Sequence, residues 1–195
     1  MIPELEEGRL YTYADKATWD DDFVCELIDG KVYSMAPAPI QAHQDISGEL
    51  FYQLKTFLRD KPCKVFHPQF EVCLHTDGDN EKTVVQPDVF VVCDLAKLDG
   101  KRCNGAPDFV VEVLSPSSAS RDTLLKYNKY MQAGVREYWI VDPVDKFVRV
   151  SILKEGKFET IDYINPETLP VTALEGCTID VERAFAEADP RGLDA

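Results

Sequence analysis

Asp108-Phe-Val-Val-Glu-Val-Leu114 reads as a β-strand, and the rest of the chain is organised around it. Side chains alternate faces along a strand, so Asp108 and Glu112 fall on one side with Phe109, Val111 and Val113 behind. Upstream, Val84 to Val92 repeats the pattern, with Gln86 and Asp88 opposite Val85, Val89 and Val91. Further back, Val65 to Leu74 places His67, Gln69 and Glu71 opposite Phe66, Phe70, Val72 and Leu74. If the three strands are neighbours, acidic side chains gather on the polar face of one small sheet.

Helices flank this block. From about Gln44 to Arg59, Ile46, Leu50, Leu54, Phe57 and Leu58 recur at three- and four-residue spacing, which predicts an amphipathic helix. Ser115-Pro-Ser-Ser118 is a helix-start signal, followed by a helix over about Arg121–Ala133 that ends at Gly134. Leu124, Tyr127 and Met131 are expected to form its apolar face. Val135 to Val141 is an apolar strand stopped by Asp142-Pro143.

Hairpins lie at both ends. Asp29-Gly30 is a favoured two-residue turn within Phe23 to Met35, and Glu155-Gly156 joins Phe147–Leu153 to Lys157–Tyr163. Pro37 and Pro39 interrupt regular structure between the first hairpin and the first long helix. A short helix is expected near Val181–Ala188. Crossover and hairpin connections together imply a mixed sheet in an α/β (α+β) domain. All 195 residues are expected to form this one domain, with its core over about 12–163 and an acidic C-terminal extension over about 164–195.

Composition narrows the class. At 45% hydrophobic residues the chain can fill a core. The opening MIPELEEGRL lacks a secretory pattern, and no apolar run approaches the roughly 20 residues of a membrane span, so a soluble, cytoplasmic protein is expected. The six cysteines include no CxxC pair, and they are expected to be buried, reduced thiols rather than zinc ligands or disulfides. His43, His67 and His75 supply no closely paired ligands. The net charge of −14 divides into −7 over residues 1–30, −7 over 155–195 and zero between, so the body of the protein is electrically balanced. That lessens the objection to a DNA partner, whose affinity depends on Lys and Arg contacts to phosphate.

The chemistry centres on Asp88 and Glu112. Two carboxylates on adjacent strands can hold one divalent ion, and Mg²⁺ suits one or two carboxylates plus waters. Without an ion, two buried acids need a basic partner or a proton. Spacing leaves a second reading open, in which both acids sit at strand ends, solvated or paired with lysine.

Several ordered segments resemble the Uma-two family of restriction-type endonucleases in the PD-(D/E)XK superfamily. They are Glu26-Leu-Ile-Asp-Gly30, His43, Gln86-Pro-Asp88, Pro107-Asp-Phe-Val-Val-Glu112-Val-Leu-Ser-Pro-Ser117, Asp122, Lys126, Tyr130, Gly134-Val135 and Glu137-Tyr-Trp-Ile-Val-Asp-Pro143. The resemblance implies a restriction-endonuclease-like mixed sheet flanked by helices. It also implies cleavage of DNA phosphodiesters with Mg²⁺, or Mn²⁺ in its place, and a homodimer that cuts both strands. Asp88 and Glu112 would be catalytic metal ligands, with Glu26 completing the shell.

One position departs from the family pattern. The motif lysine is replaced by Leu114, which cannot polarise a water. Lys126 is the candidate substitute, on a helical stripe with Asp122 and Tyr130. A surface Asp122–Lys126 ion pair would explain the same residues without catalysis. His43, Gln86 and Tyr130 are candidate second-layer or substrate contacts, Gln69 could line the cleft, and Lys97, Lys101 and Arg102 could meet a DNA backbone. Leu114 and the acidity also leave open an inactive nuclease fold serving protein contacts.

Overall fold

In the computed structural model, residues 3–35, 40–115 and 121–188 are described. Helix α1 (Tyr13–Lys16) opens on a capping box between Thr12 and Asp15. Strands β1 (Cys25–Ile28) and β2 (Lys31–Ser34) form the expected hairpin. Asp29 and Gly30 have φ of 52° and 77°, the left-handed pair this turn requires. Helix α2 (Gln41–Phe57) buries Ile46, Leu50 and Leu54, and begins three residues before the expected start. Pro37, Pro39 and the segment Pro116–Ser118 lie outside the described residues.

The two long strands expected over 65–74 and 84–92 are each broken in two. Residues of the first form β3 (Lys64–Phe66) and β4 (Glu71–Cys73), and those of the second form β5 (Val84–Val85) and β6 (Val89–Val92). The halves belong to different sheets, β3 pairing with β6 and β4 with β5. A proline lies in each break, Pro68 and Pro87, where the missing N–H interrupts the ladder.

The chain continues through β7 (Arg102–Asn104), β8 (Phe109–Val113), a π-type stretch over Arg121–Lys126 and helix α3 (Tyr127–Ala133). Gly134, at φ 91°, ends α3 as its left-handed cap. Next come β9 (Glu137–Asp142) and the second hairpin, β10 (Phe147–Lys154) with β11 (Lys157–Ile164). Strands β12 (Thr168–Pro170) and β13 (Thr178–Asp180) lead into α4 (Val181–Glu187).

Among the described residues, one main sheet runs β11-β10-β9-β8-β6-β3, a second runs β2-β1-β5-β4-β7, and β12 and β13 form a two-stranded sheet. The β8–β9 and β4–β7 pairs are parallel and the rest antiparallel, so both main sheets are mixed. No helix among the described residues is long and apolar enough to cross a membrane.

Two apolar cores enclose the longer sheet. Val89, Val91, Val111 and Val113 pack with Ile46, Leu50 and Leu54 of α2. Phe90, Val110, Tyr138 and Ile140 pack with Val72 and Val85 of the second sheet. The expected polar face therefore does not exist as a solvated surface, because the second sheet covers the side bearing Glu112. The segment expected as an extension is also part of the core: Leu169, Val171, Leu174, Ile179, Val181 and Phe185 are all buried in the α2 cluster.

The expectation of six reduced thiols needs one correction. Cys63 and Cys93 are joined in a disulfide. The ladder pairs Lys64 with Val92, so the next step brings these two cysteines opposite one another. Cys25, Cys73, Cys103 and Cys177 are free and buried. Burial pushes the Cys25 and Cys177 thiols up to about 11, and those of Cys73 and Cys103 up to about 12. These four lack the depressed pKa of a reactive cysteine.

Candidate active site

Strand register supplies the first link. Val89 faces Val111 across the antiparallel β6–β8 pair, so Asp88, just before β6, lies at the end of β8 that carries Glu112. The Val113 amide donates to Asp88 Oδ2 at 2.8 Å, and His43 Nε2, from α2, lies 3.0 Å from the same oxygen.

Lys126 supplies the second link. Its Nζ donates to Glu112 Oε1 at 2.9 Å and lies 2.8 Å from Glu26 Oε1 on β1. Tyr130, one turn along α3, donates its hydroxyl to Glu112 Oε1 at 2.7 Å, and the Gln86 amide donates to Glu26 Oε1 at 2.9 Å. Glu26, Glu112 and Lys126 are 0%, 2% and 3% exposed, and charges so deep persist only when paired. Burial and the Glu112 charge push the Tyr130 hydroxyl well above the ordinary tyrosine range, which keeps it a donor.

All seven sequence-predicted positions thus belong to one connected cluster. Asp88 and His43 form one end, Glu112 with Lys126 and Tyr130 the middle, and Glu26 with Gln86 the other end. The Asp122 side chain lies outside the described residues. Lys126 has its ion pairs in the interior, so a purely surface pairing is overturned for it.

The apolar face expected for its helix is corrected at Leu124, whereas Tyr127 packs partly buried against Tyr138 and Phe158 as expected. Leu124 and Leu125 are exposed, while Lys126 and Tyr130 point inward, because Glu26 and Glu112 compensate the buried ammonium. Leu114 is a core residue whose amide donates to the Val141 carbonyl.

Two cavities adjoin the cluster on either side of Pro87. Asp88 lines one of about 330 Å³ together with His43, Gln44, Ser47 and His67. Gln86 lines another of about 500 Å³ together with Gln69 and Glu71. Glu71 Oε1 accepts from Gln86 Nε2 at 3.2 Å and is ion-paired with Lys16 of α1. Nothing in the sequence pattern signals that Lys16–Glu71–Gln86 chain, whose first two members are 55 residues apart. The basic trio disperses: Lys97 donates to the Ala106 carbonyl, Arg102 lies against Asp79, Asp99 and the Tyr13 ring, and Lys101 lines the larger cavity.

Asp88 and Glu112 fit a hard divalent cation by donor chemistry, both being carboxylates next to buried polar partners. Among the described residues, no group of three or more His, Cys, Asp or Glu side chains could hold an ion by itself. A Mg²⁺-type site does not need one, since it commonly takes one or two carboxylates and completes its shell with water and phosphate.

The site thus joins two acids at the end of a mixed sheet to a buried lysine from the helix that follows it. The sequence model of the Uma2 family, described as "Putative restriction endonuclease", matches residues 13–182, and the chain belongs to that family. Its fold is shared with a crystal structure from Anabaena variabilis, described as "a putative nuclease belonging to DUF820". The TM-score is 0.72 at 19% identity, over 90% of this chain and 98% of the other. No curated protein matches the chain. Family membership makes nuclease the general class, one that generally uses a divalent metal.

Proposed function

We propose that this chain is a Mg²⁺-dependent endonuclease that hydrolyses DNA phosphodiester bonds. The observation that carries the reading is that adjacent positions of one strand hold both acids: the Val113 amide donates to Asp88, and Glu112 accepts from buried Lys126. Asp88 and Glu112 would hold the ion. When bound, it would lower the pKa of a water and stabilise charge on the phosphoryl oxygens.

The chain's own groups fix the remaining parts. The Val113 amide and His43 orient Asp88, while Tyr130 orients Glu112. Lys126, positioned by Glu26, orients the attacking water. Water adds to phosphorus, one ester oxygen leaves, and the water proton passes to solvent or to that oxygen. Two copies, each cutting one strand, would complete a double-strand break.

Asp88→Ala tests this directly. With Mg²⁺ or Mn²⁺ present, plasmid nicking should fall at least about 10²-fold, in the range seen when one preorganised charge-stabilising group is removed. Both ions should raise the melting temperature of the parent protein and leave that of the variant unmoved. Nicking by the folded variant at the parent rate would remove the assignment.

A second reading has a specific observation in its favour. Lys126 already engages two carboxylates, and Leu114 occupies the motif position, as an inactive nuclease fold used for protein contacts would allow. That protein would show no ion-dependent stabilisation.

A further inference from the structure

The 500 Å³ cavity beside the acidic cluster has a chemistry that the hydrolytic reading does not use. We propose that it holds a nucleobase of the substrate strand next to the cleaved phosphate, and that it favours bases bearing an exocyclic amino group. The inference rests on the reading of the chain as a DNA nuclease and names the part of the DNA that this wall meets.

Gln86 is the first ground. The side chain is 5% exposed and lines the cavity, and its Oε1 makes no hydrogen bond among the described residues. The orientation of the amide follows from its neighbour. Glu71, drawn in by Lys16, accepts from Gln86 Nε2, so the nitrogen is committed and the oxygen is left as an acceptor. A buried acceptor without a donor costs roughly 1–3 kcal/mol, and a ligand N–H would remove that cost.

The walls are the second ground. Tyr13, Trp19 and Phe23 are among the lining residues, with Trp19 half-buried against Tyr11 and Phe23 in edge contacts at 5.3 and 5.7 Å. Aromatic faces bind bases by stacking, worth about 1–3 kcal/mol per base. The charged lining residues are Lys16 and Lys101 against Asp20, Asp21 and Glu71, and Lys16 is already paired. An acceptor-rich lining with a net negative charge repels phosphate and suits N–H donors. Adenine, cytosine and guanine present an exocyclic amino group, whereas the one base donor of thymine, N3–H, lies between two carbonyl oxygens that this acceptor-rich lining disfavours. The volume is within the range of small-ligand sites.

Position is the third ground. The Gln86 backbone amide donates to Glu26, and Asp88 lies two residues further along, so one short segment touches both the cavity and the acid cluster. A strand whose phosphate reaches Asp88 would place a flanking base against Gln86. Extruding that base would cost a few kcal/mol in a duplex and little in single-stranded DNA.

Trp19 provides a readout that does not depend on cleavage, because the other tryptophan, Trp139, is fully buried. Five-nucleotide single strands would be titrated in EDTA, with the central position adenine, cytosine, thymine or abasic in a thymine background, and Trp19 emission followed. Adenine or cytosine should quench at a concentration at least about tenfold below that needed for thymine or the abasic site. Gln86→Leu, shown folded by circular dichroism, should erase that preference.

Equal binding by all four strands would overturn the inference in the parent protein alone, whether or not the variant folds. So would a preference that survives in folded Gln86→Leu. Base-selective binding without metal-dependent nicking would sink the hydrolytic reading and leave the pocket standing. Nicking with no base selectivity would do the reverse.

Discussion

Lys126 holds an ammonium within 2.8–2.9 Å of two carboxylates at 3% exposure, and its value to the fold lies in what its loss would uncover. Removing one partner of a buried ion pair typically costs about 3–5 kcal/mol, because the remaining charge is stranded. Lys126→Met should therefore lower unfolding free energy by about that amount at neutral pH. Adding Glu26→Gln should recover about 1–3 kcal/mol, since the double variant buries one acid fewer. Urea titrations of the four proteins measure both effects, and strict additivity would show that the contacts are energetically idle.

Glu137 presents a different balance at the same scale. Its two oxygens accept from Trp139 Nε1 at 2.6 Å and from the Ala173 amide at 2.7 Å, and burial raises its pKa above the ordinary 4.5. A raised carboxyl pKa means that the folded state holds the proton more tightly than the unfolded chain. Its stabilising contribution is complete below the unfolded pKa and is lost as pH rises through the folded one. Glu137→Gln replaces one acceptor with an NH₂ and should cost about 1–3 kcal/mol. That cost should shrink as pH rises from about 4.5 through the raised pKa, which urea midpoints at acid and neutral pH would reveal.

At the scale of elements, the first hairpin carries Glu26 into the cluster, and its turn has no slack. A Cβ on Gly30 would meet Leu10 Cβ at 2.9 Å and the Tyr11 carbonyl at 3.1 Å, in a backbone at φ 77°. Gly30→Ala should cost about 1–3 kcal/mol from left-handed strain and that contact together. Chemical denaturation measures the loss, and a neutral outcome would mean that Leu10 and Tyr11 can shift away.

The breaks at Pro68 and Pro87 act at this scale too, and they were legible only as prolines. Alternation in 84–92 suggested one strand with Gln86 and Asp88 side by side on a polar face. In the fold, the break sends Val84–Val85 to one sheet and Val89–Val92 to the other, and the two polar residues line separate cavities. Periodicity cannot show this, because it records which face a residue takes and carries no information about which sheet the strand joins.

For the whole molecule, the segment after residue 165 is structural. Six large apolar residues from it, Leu169, Val171, Leu174, Ile179, Val181 and Phe185, are no more than 8% exposed in the α2 core. At about 1.5–3 kcal/mol each, their loss equals or exceeds the whole stability of an ordinary domain. A chain ending at Asn165 should therefore be insoluble or lack a cooperative thermal transition, and calorimetry checks it. A sharp transition in that shortened chain would show that the segment is dispensable.

The amino-acid sequence alone determined the α/β class, both hairpin turns, helix α2 and the helical segment that ends at Gly134, and the identities of Asp88, Glu112, Glu26 and Lys126 as the groups to watch. These depend on local chemistry: turn residues at fixed offsets, apolar periodicity, and a family pattern carried in short segments. Only the tertiary structure decided that Lys126 turns inward, that Cys63 meets Cys93, and that Gln86 answers to Lys16 through Glu71. Each of these joins residues far apart in the chain, and a buried charge or thiol takes its partner from whatever the packed sheets bring within reach.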